Sequence, residues 1–205
     1  MENKDTKLEW KREENECRFQ ILQNGKIKYI DTGQTSSLDN SNNSYCHIRT
    51  QSAIPKSLSS FYFEIEVSYG GEGTCSIYIG LTSGEIKTED LNLIGSAKNT
   101  IGYFGSEGEI RCYNEENYVD HSENFSEKYS AGDTVGCYLC RYKSGDVECA
   151  LVQFTKNGKI VHEPTSIPDT DLYPTVSLIS NSAEVKTNLG EKTFMFDVKG
   201  NSSVD

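Results

Sequence analysis

The chain has 205 residues, of which 35% are hydrophobic, and this supply is enough for the core of one sizeable domain. A mean hydropathy of −0.58 and the lack of any long apolar run predict that the chain has no transmembrane helix. The formal net charge of −11 disfavours nucleic acid and anionic membranes as partners, because both repel an acidic surface.

The N-terminal segment is charged throughout and lacks the apolar stretch of a signal peptide. We therefore expect a cytoplasmic protein, with a nuclear location also open. The first strand signals follow in LQNGKIKYI, residues 22–30. Asn24-Gly25 stands there between two β-prone runs. A tight hairpin turn needs a positive φ at both of its central positions, and Asn followed by Gly is favoured there.

The next two runs predict strands of a β-sandwich. FYFEIEV, residues 61–67, alternates its apolar side chains with Glu64 and Glu66, which is typical of a strand with one buried face. CSIYIGL, residues 75–81, is apolar almost throughout, as expected of a strand in the middle of a sheet.

DTVGCYLCRY, residues 133–142, contains a Cys-x-x-Cys pattern, which also occurs in zinc and redox sites. On a strand, Cys137 and Cys140 point to opposite faces, so the two thiols cannot share one metal. No second such pair completes a zinc site, and no helix follows as in a thioredoxin-like centre. We therefore expect reduced and inert thiols at Cys75, Cys137 and Cys140, with Cys137 on the inward face of the strand.

The C-terminal third repeats the strand signals. ALVQFTKNGKIVHE, residues 150–163, is the clearest hairpin, with Asn157-Gly158 at its turn. TVSLI, EVKTNLG and FMFDV complete the predicted strands, and helical periodicity is nearly absent. Two long connections, Asp31 to Tyr45 and Thr82 to Thr100, are of a length that is usually functional or mobile in a compact domain.

Signals for catalysis are weak. The three histidines are isolated from one another, and no nucleophile elbow accompanies them. YGGEG, residues 69–73, is rich in glycine, but neither a Lys-Ser/Thr pair nor a helix follows it, as a phosphate-binding loop requires. We therefore expect no enzymatic activity, and we predict no metal site and no cofactor.

Seven short strings occur in the order and spacing of one family: YFEIEV, IGL, IGYFGSEG, AGDTVGC, FTKNGK, DLYPTVSL and NLGEKTFMFD. Together they resemble the SPRY domain of the B30.2/SPRY family, most closely the type found in Ran-binding protein M. The resemblance covers residues 10–198 and implies a charged extension at 1–9 and a tail at 199–205. It implies an all-β fold, a bent two-sheet antiparallel β-sandwich of the concanavalin-like jelly-roll kind with little helix.

Two departures from the family pattern concern the ligand. Relatives that recognise short peptides often carry an aromatic residue after the YPxV strand, where this chain has Ser180. The PGW element of the most similar type is Ile94-Gly95-Ser96 here, without the tryptophan. The peptide motifs of the family are therefore not carried over. The helical dimerisation segments of Ran-binding protein M are absent, so we expect a stand-alone monomeric module.

The resemblance implies a non-enzymatic protein–protein interaction module with an adaptor or scaffold role, which binds a partner protein or an extended peptide through loops at one end. Its apolar centre would be Ile179. The carried-over contact residues are Thr74, Leu91, Leu93, Ile94, Ser96, Ile179, Ser180 and Asn181. Tyr45 joins this set if the first long loop folds over the same end.

Three alternatives stay open at this point. Leu91, Leu93 and Ile94 serve equally well to pin their long loop to the sandwich. Some SPRY relatives bind small phosphorylated ligands in a basic pocket, which needs clustered cationic side chains. A thiol-dependent enzyme is the third alternative, and reactive-cysteine labelling separates it from a binding module.

Overall fold

The structure, a computed structural model, describes residues 7–11, 19–22, 25–30, 46–70, 75–84, 94–96, 98–113, 118–119, 126–178 and 182–200. These residues form fourteen strands. The strands are β1 (Phe19–Ile21), β2 (Lys26–Tyr29), β3 (Cys46–Arg49), β4 (Ser60–Tyr69), β5 (Ile77–Ser83), β6 (Thr100–Phe104), β7 (Ile110–Tyr113), β8 (Tyr118–Val119), β9 (Thr134–Ser144), β10 (Val147–Lys156), β11 (Lys159–Ile160), β12 (Thr165–Pro168), β13 (Leu172–Leu178) and β14 (Glu184–Asn188).

The strands form two antiparallel sheets. Sheet one has eight strands in the order β1-β2-β14-β4-β9-β10-β11, with β12 also paired to β10. Sheet two has six strands in the order β3-β13-β5-β6-β7-β8. The predicted all-β two-sheet sandwich is therefore confirmed. Within the described residues no helix is long and apolar enough to cross a membrane.

One hydrophobic core lies between the sheets. The alternation predicted for residues 61–67 is confirmed, because Phe61, Phe63, Ile65 and Val67 all belong to this core. The inward face of β9 contributes Cys137, as predicted. Burial of these apolar side chains is the main source of stability for such a sandwich.

The N-terminal segment completes the core at one edge. Leu8 and Trp10 are both buried in it, so residue 8 belongs to the core and not to the charged extension expected at 1–9. Trp10 forms a β-bridge with Thr50, and its indole N–H donates to Thr187 Oγ1 at 2.8 Å. The folded unit thus includes residue 8.

The hairpin turn at Asn157-Gly158 is confirmed. Both residues have a positive φ, 50° and 77°, as a type I′ turn requires. The side-chain Nδ2 of Asn157 also donates to Asp133 Oδ1 at 2.8 Å, and this bond connects the hairpin to the turn before β9. The counterpart at Gly25 also has a positive φ, of 73°, whereas Asn24 lies outside the described residues.

The prediction of a strand at FMFDV is wrong. Residues 194–198 are an irregular segment that packs across the outer face of sheet one. The rings of Phe194 and Phe196 lie 4.9 and 5.2 Å from that of Tyr62. The Met195 N–H donates to the carboxylate of Glu64 at 3.1 Å instead of to a neighbouring strand. This segment is therefore held by aromatic contacts with Tyr62 and by a hydrogen bond to Glu64, and not by backbone hydrogen bonds to a neighbouring strand.

Candidate interaction surface

The register of three strands in sheet two defines one end of the sandwich. Leu178, the last residue of β13, pairs with Cys46 at the start of β3 and with Ile77 at the start of β5. We call this the Leu178 end. At the other end of β13, Leu172 pairs with Ser83, the last residue of β5, and we call this the Leu172 end.

Five of the predicted contact residues are attached in sequence to the Leu178 end. Tyr45 directly precedes Cys46, Thr74 lies three positions before Ile77, and Ile179 to Asn181 directly follow Leu178. All five lie outside the described residues, so only their attachment points are known. The pairing of β3, β13 and β5 brings these three attachment points side by side.

The predicted long loop is attached at the opposite end. It leaves β5 after Ser83 and joins β6 at Thr100, near Leu81, which pairs with Ile101. Its described part returns over the outer face of sheet two, where a Cβ atom on Gly102 would lie 2.9 Å from the Ile94 carbonyl oxygen. The register therefore does not bring this loop's ends to the other three segments.

Two predicted contact residues of that loop are described. Ile94 is 0% exposed, and the Gly95 N–H donates to Thr100 Oγ1 at 2.7 Å, which holds the loop on the sheet. The burial of Ile94 fits the anchoring alternative of the sequence analysis. Ser96 is partly exposed, and Leu91 and Leu93 lie outside the described residues.

Buried side chains hold the Leu178 end through hydrogen bonds and close packing. Tyr129 lies under it, and its hydroxyl donates to the carbonyl oxygens of Ile77 at 2.7 Å and Tyr103 at 3.0 Å. Cys75 packs so tightly beside Gly105 that a Cβ atom there would lie 3.0 Å from its sulfur. Loops that start from such fixed points are suited to binding, because a rigid scaffold positions them.

Sequence reasoning missed two exposed apolar residues at this end. Tyr69, at the end of β4, is 44% exposed, and Ile30, directly after β2, is 38% exposed. The alternation along β4 would turn residue 69 inward, but the β4–β14 register shifts between Glu184 and Val185. Such an irregularity changes the face that a side chain reaches. The Gly-Gly pair that follows Tyr69 is the local sequence signal of this break.

Carboxylates surround the turns of the Leu178 end. Glu109 accepts a hydrogen bond from Arg111 at 2.7 Å, and this bond holds the pKa of Glu109 below its ordinary value. Glu107 and Glu127 lie 3.5 Å from Arg111 and 3.3 Å from Lys156, and their side chains are 56% and 73% exposed. Both of these carboxylates are therefore accessible to solvent.

Three of the described thiols, those of Cys75, Cys112 and Cys137, are buried. Burial raises the pKa of Cys75 and of Cys112 to about 11, and it raises that of Cys137 well above its ordinary value. A raised thiol pKa disfavours the thiolate, which is the reactive form. Cys140 lies on the other face of β9 and is only partly buried. Among the described residues, no three His, Cys, Asp or Glu side chains are grouped to hold a metal ion.

Comparison with known sequences gives one consistent result. A profile of the SPRY domain matches residues 60–192. Ran-binding protein 9 of Xenopus tropicalis is 27% identical over 191 residues, which cover 90% of this chain and 30% of that protein. The Ran-binding protein M homolog of Arabidopsis thaliana is 32% identical over 156 residues, covering 75% of this chain and 30% of that protein. This chain thus spans about a third of the length of these relatives.

Comparison with solved structures shows the same fold. The crystal structure of a human SPRY domain superimposes with a TM-score of 0.63 at 20% identity, covering 90% of this chain and 99% of that one. The SPRY domain of human HERC1 gives a TM-score of 0.55 at 13% identity, covering 85% of this chain and 94% of that one. At these identities the likeness concerns the fold alone.

Proposed function

This chain belongs to the SPRY domain family, and we propose that it is a non-enzymatic interaction module that binds a partner protein or an extended peptide segment at the Leu178 end. The observation that supports this most is the pairing of Leu178 with Cys46 and Ile77. Three connections are therefore attached to neighbouring strands, β3, β13 and β5, at the same end of the sandwich. A continuous binding surface needs segments that lie side by side in this way.

The proposed contacts follow from this placement. Ile179 is the apolar centre, because a few buried anchors carry most of the binding energy at an interface. Thr74 and Asn181 donate or accept hydrogen bonds around it, and Tyr45 and Ser180 extend the surface. Leu91, Leu93 and Ser96 belong to the long loop, which is attached at the Leu172 end, and they are therefore left out of the proposed surface. Ile94 is assigned to anchoring, since its side chain is fully buried.

The thiol-dependent enzyme is the weaker alternative. Its nucleophile would have to be an accessible thiolate, whereas burial raises the pKa of Cys75, Cys112 and Cys137. Cys140 is more accessible, but the Cys-x-x-Cys pattern places it on the face opposite Cys137. The adaptor role, the monomeric state and a cytoplasmic or nuclear location remain part of the proposal.

A double substitution tests the proposed surface. Ile179→Asp with Thr74→Arg is compared with wild type by affinity capture from cell extract and mass spectrometry, after both proteins are shown to melt at the same temperature. We expect the variant to lose the partners that wild type captures. The matched control is Val147→Asp, because Val147 is 60% exposed on the β9–β10 hairpin at the Leu172 end. If the folded double variant keeps every partner, the surface lies elsewhere.

A further inference from the structure

The outer face of sheet one changes character between β4 and β9. On β9 and β10 the core residues Leu139 and Ala150 mark the inward positions, so the alternate positions face outward. These two strands carry four charged side chains, and all four occupy inward positions: Arg141, Lys143, Glu148 and Lys156. Their outward positions therefore carry no charge, although an outward face in contact with water is usually polar.

The other half of the outer face shows the usual pattern. Glu66 of β4 lies 2.6 Å from Lys186 of β14, and Glu184 of β14 lies 2.8 Å from Lys26 of β2. These ion pairs lie on the outer side, because Val185, the residue between Glu184 and Lys186, belongs to the core. The lack of charge is thus specific to the half formed by β9 and β10.

Apolar side chains occupy most of the outward positions in this uncharged half. Val147, Cys149 and Leu151 follow one another along β10, and Val147 is 60% exposed. On β9, Tyr142 lies opposite Cys149, and Cys140 lies opposite Leu151. The register therefore places two rows of apolar side chains next to each other.

Ile160 of β11 adds to this surface. It is 40% exposed and pairs with Thr155 of β10, whose hydroxyl lies 2.9 Å from that of Tyr62 on the outer side. We call the full set the β10 face: Cys140, Tyr142, Val147, Cys149, Leu151 and Ile160. All six side chains are at least partly exposed. A contiguous exposed apolar surface of this kind marks a site of interaction with another molecule.

The C-terminal segment covers the neighbouring part of the same outer face. The ring of Phe196 lies 5.9 Å from that of Tyr138, and both Cys140 and Val198 pack against the cluster that these rings form with Tyr62. Beyond this cluster the apolar surface continues onto β10, where its side chains are left partly exposed. The β10 face is therefore the open part of a surface that a crossing segment already covers on one side.

The size and charge of the molecule disfavour a second copy of the chain as the occupant of the β10 face. From Val147 to Gln153 β10 runs about 20 Å, and β9, β10 and β12 together span about 10–15 Å across the sheet. The resulting area of about 200–300 Å² is well below the roughly 800 Å² that each partner buries in a stable complex. Two copies with a net charge of −11 also repel each other.

A single helix matches these dimensions. A strand laid on the face of a sheet finds no free backbone groups to bond, because the bonds between strands lie within the sheet. A helix satisfies its own backbone, has a diameter of about 10 Å, and covers about 20 Å with about thirteen residues. The apolar stripe of an amphipathic helix is also complementary to a surface without charged side chains.

We propose that the β10 face binds an amphipathic helix of a partner protein, whose leucine, isoleucine or methionine side chains pack on Val147, Leu151 and Ile160. Burial of apolar area supplies the affinity, as it does when a helix binds an apolar groove. The β10 face lies on the outer side of sheet one, apart from the residues proposed to bind at the Leu178 end. The inference therefore adds a second interaction surface to the proposed function and does not depend on it.

The test uses the whole chain and two defined probes of identical composition. Both are fluorescein-labelled peptides of about fourteen leucine, alanine, glutamate and lysine residues, with no net charge. In one the leucines recur every three and four residues and form a single stripe, and in the other they are spread around the helix. We expect fluorescence anisotropy to show binding of the striped peptide alone. Its affinity should be nearly the same at low and high salt, because the β10 face has no charge for salt to screen.

Charge placed on the β10 face should remove this binding. Val147→Asp and Ile160→Asp should each weaken the affinity for the striped peptide by about tenfold or more, because a buried, unpaired carboxylate replaces an apolar contact. Ile30→Asp is the matched control and should bind like wild type, since Ile30 is 38% exposed on the same sheet but directly after β2. All three variants should melt like wild type, because all three side chains are exposed.

Equal binding of the two peptides, binding of neither, or an unchanged affinity after Val147→Asp and Ile160→Asp overturns the proposal. Self-association of wild type in analytical ultracentrifugation that Val147→Asp abolishes also overturns it, because the face then belongs to a second copy of the chain. The Ile179→Asp and Thr74→Arg variant should bind the striped peptide like wild type. A loss in that variant would place the peptide at the Leu178 end and overturn the β10 face as its site.

Discussion

Arg141 joins three separate parts of the chain at the Leu172 end. Its Nε donates to Asp169 Oδ2 at 2.9 Å, and its other nitrogens donate to the carbonyl oxygens of Pro55, Leu58 and Ile54 at 3.0, 2.6 and 3.3 Å. The side chains of Arg141 and Asp169 are only 10% and 4% exposed. Local sequence does not indicate this role, because every partner is distant along the chain.

Arg141→Ala should therefore cost about 1–3 kcal/mol of unfolding free energy, because three carbonyl oxygens lose their donor and the buried Asp169 carboxylate keeps only Lys56, at 3.0 Å, as a cationic partner. The measurement is urea denaturation at neutral pH. Lys143→Ala is the matched control on the same strand, since Lys143 and its partner Glu148 are 74% and 57% exposed and such a pair contributes little. Equal losses in the two variants would show that the Arg141 contacts do not stabilise the fold.

The thiols give a second prediction for single residues. At neutral pH, iodoacetamide should modify native Cys75, Cys112 and Cys137 far more slowly than the same residues in urea, with Cys140 faster than these three. Burial raises the pKa of Cys75 and Cys112 from 9.0 to about 11, so the stability that the neutral thiols contribute is complete below pH 9 and is lost as the pH rises through about 11. Rapid labelling of Cys137 in the native protein would contradict this assignment.

Among the elements, the β10–β11 hairpin combines a backbone requirement with a packing requirement. Gly158 has a φ of +77°, and a Cβ atom there would lie 2.8 Å from the Met195 carbonyl oxygen. Gly158→Val should cost about 1–3 kcal/mol, because a β-branched residue is strained at positive φ. Gly145→Val is the control in the β9–β10 turn, where φ is +62° but nothing lies within 4 Å of a Cβ atom.

The two glycine variants are compared by the midpoint of urea denaturation. We expect both midpoints to fall, and that of Gly158→Val to fall further because it adds the clash with Met195. An unchanged midpoint for Gly158→Val would contradict the assignment of the turn. A smaller fall than in Gly145→Val would contradict only the contact between Gly158 and the C-terminal segment.

The C-terminal segment, residues 192–198, is the element that covers the outer face of sheet one. Phe196 is 4% exposed and contacts Tyr62 and Tyr138, whereas the adjacent Met195 is 56% exposed. Phe196→Ala should cost about 3–5 kcal/mol, as for other buried aromatic side chains, and Met195→Ala should cost far less. Thermal melting of the two variants checks this, and a similar loss in both would mean that the segment does not depend on its aromatic contacts.

Local sequence patterns predicted most of the strands and turns, but they did not predict which distant residues these elements contact. Alternation at Phe61 and Phe63 and the Asn157-Gly158 turn follow from the side-chain period and from backbone sterics, so both were predictable. The irregular path of residues 194–198 and the exposure of Tyr69 depend on partners more than a hundred residues away, Glu64 for one and the shifted β14 register for the other. No local pattern carries that information.

At the scale of the whole molecule, the same limit applies to the candidate surface. The resemblance implies that residues 74, 91–96 and 179–181 meet at one end, whereas strand register brings together the attachment points of residues 45, 74 and 179–181. The same strand register attaches the long loop before Thr100 to the Leu172 end. Strand order decides this, and strand order is set by the whole sandwich and not by the loop's own residues.

Trp10 provides a test of whether the whole sandwich unfolds as one unit. It is the only tryptophan in the chain, so intrinsic tryptophan fluorescence reports on its surroundings alone. Its ring lies 6.4 Å from that of Phe63, in a core to which both sheets contribute. Because that core is one cluster, we expect the tryptophan emission and the far-UV circular dichroism to change at the same urea concentration, as in a two-state transition.

Trp10→Phe is the control for this measurement, since it keeps an aromatic ring in the core but removes the indole hydrogen bond to Thr187. It should lower the midpoint seen by circular dichroism, because Thr187 Oγ1 loses a buried donor. Two-state unfolding of wild type would be contradicted if the tryptophan emission changed at a lower urea concentration than the far-UV circular dichroism. Such a result would mean that residues 8–11 leave Thr50 and the core by local unfolding while the two sheets stay packed.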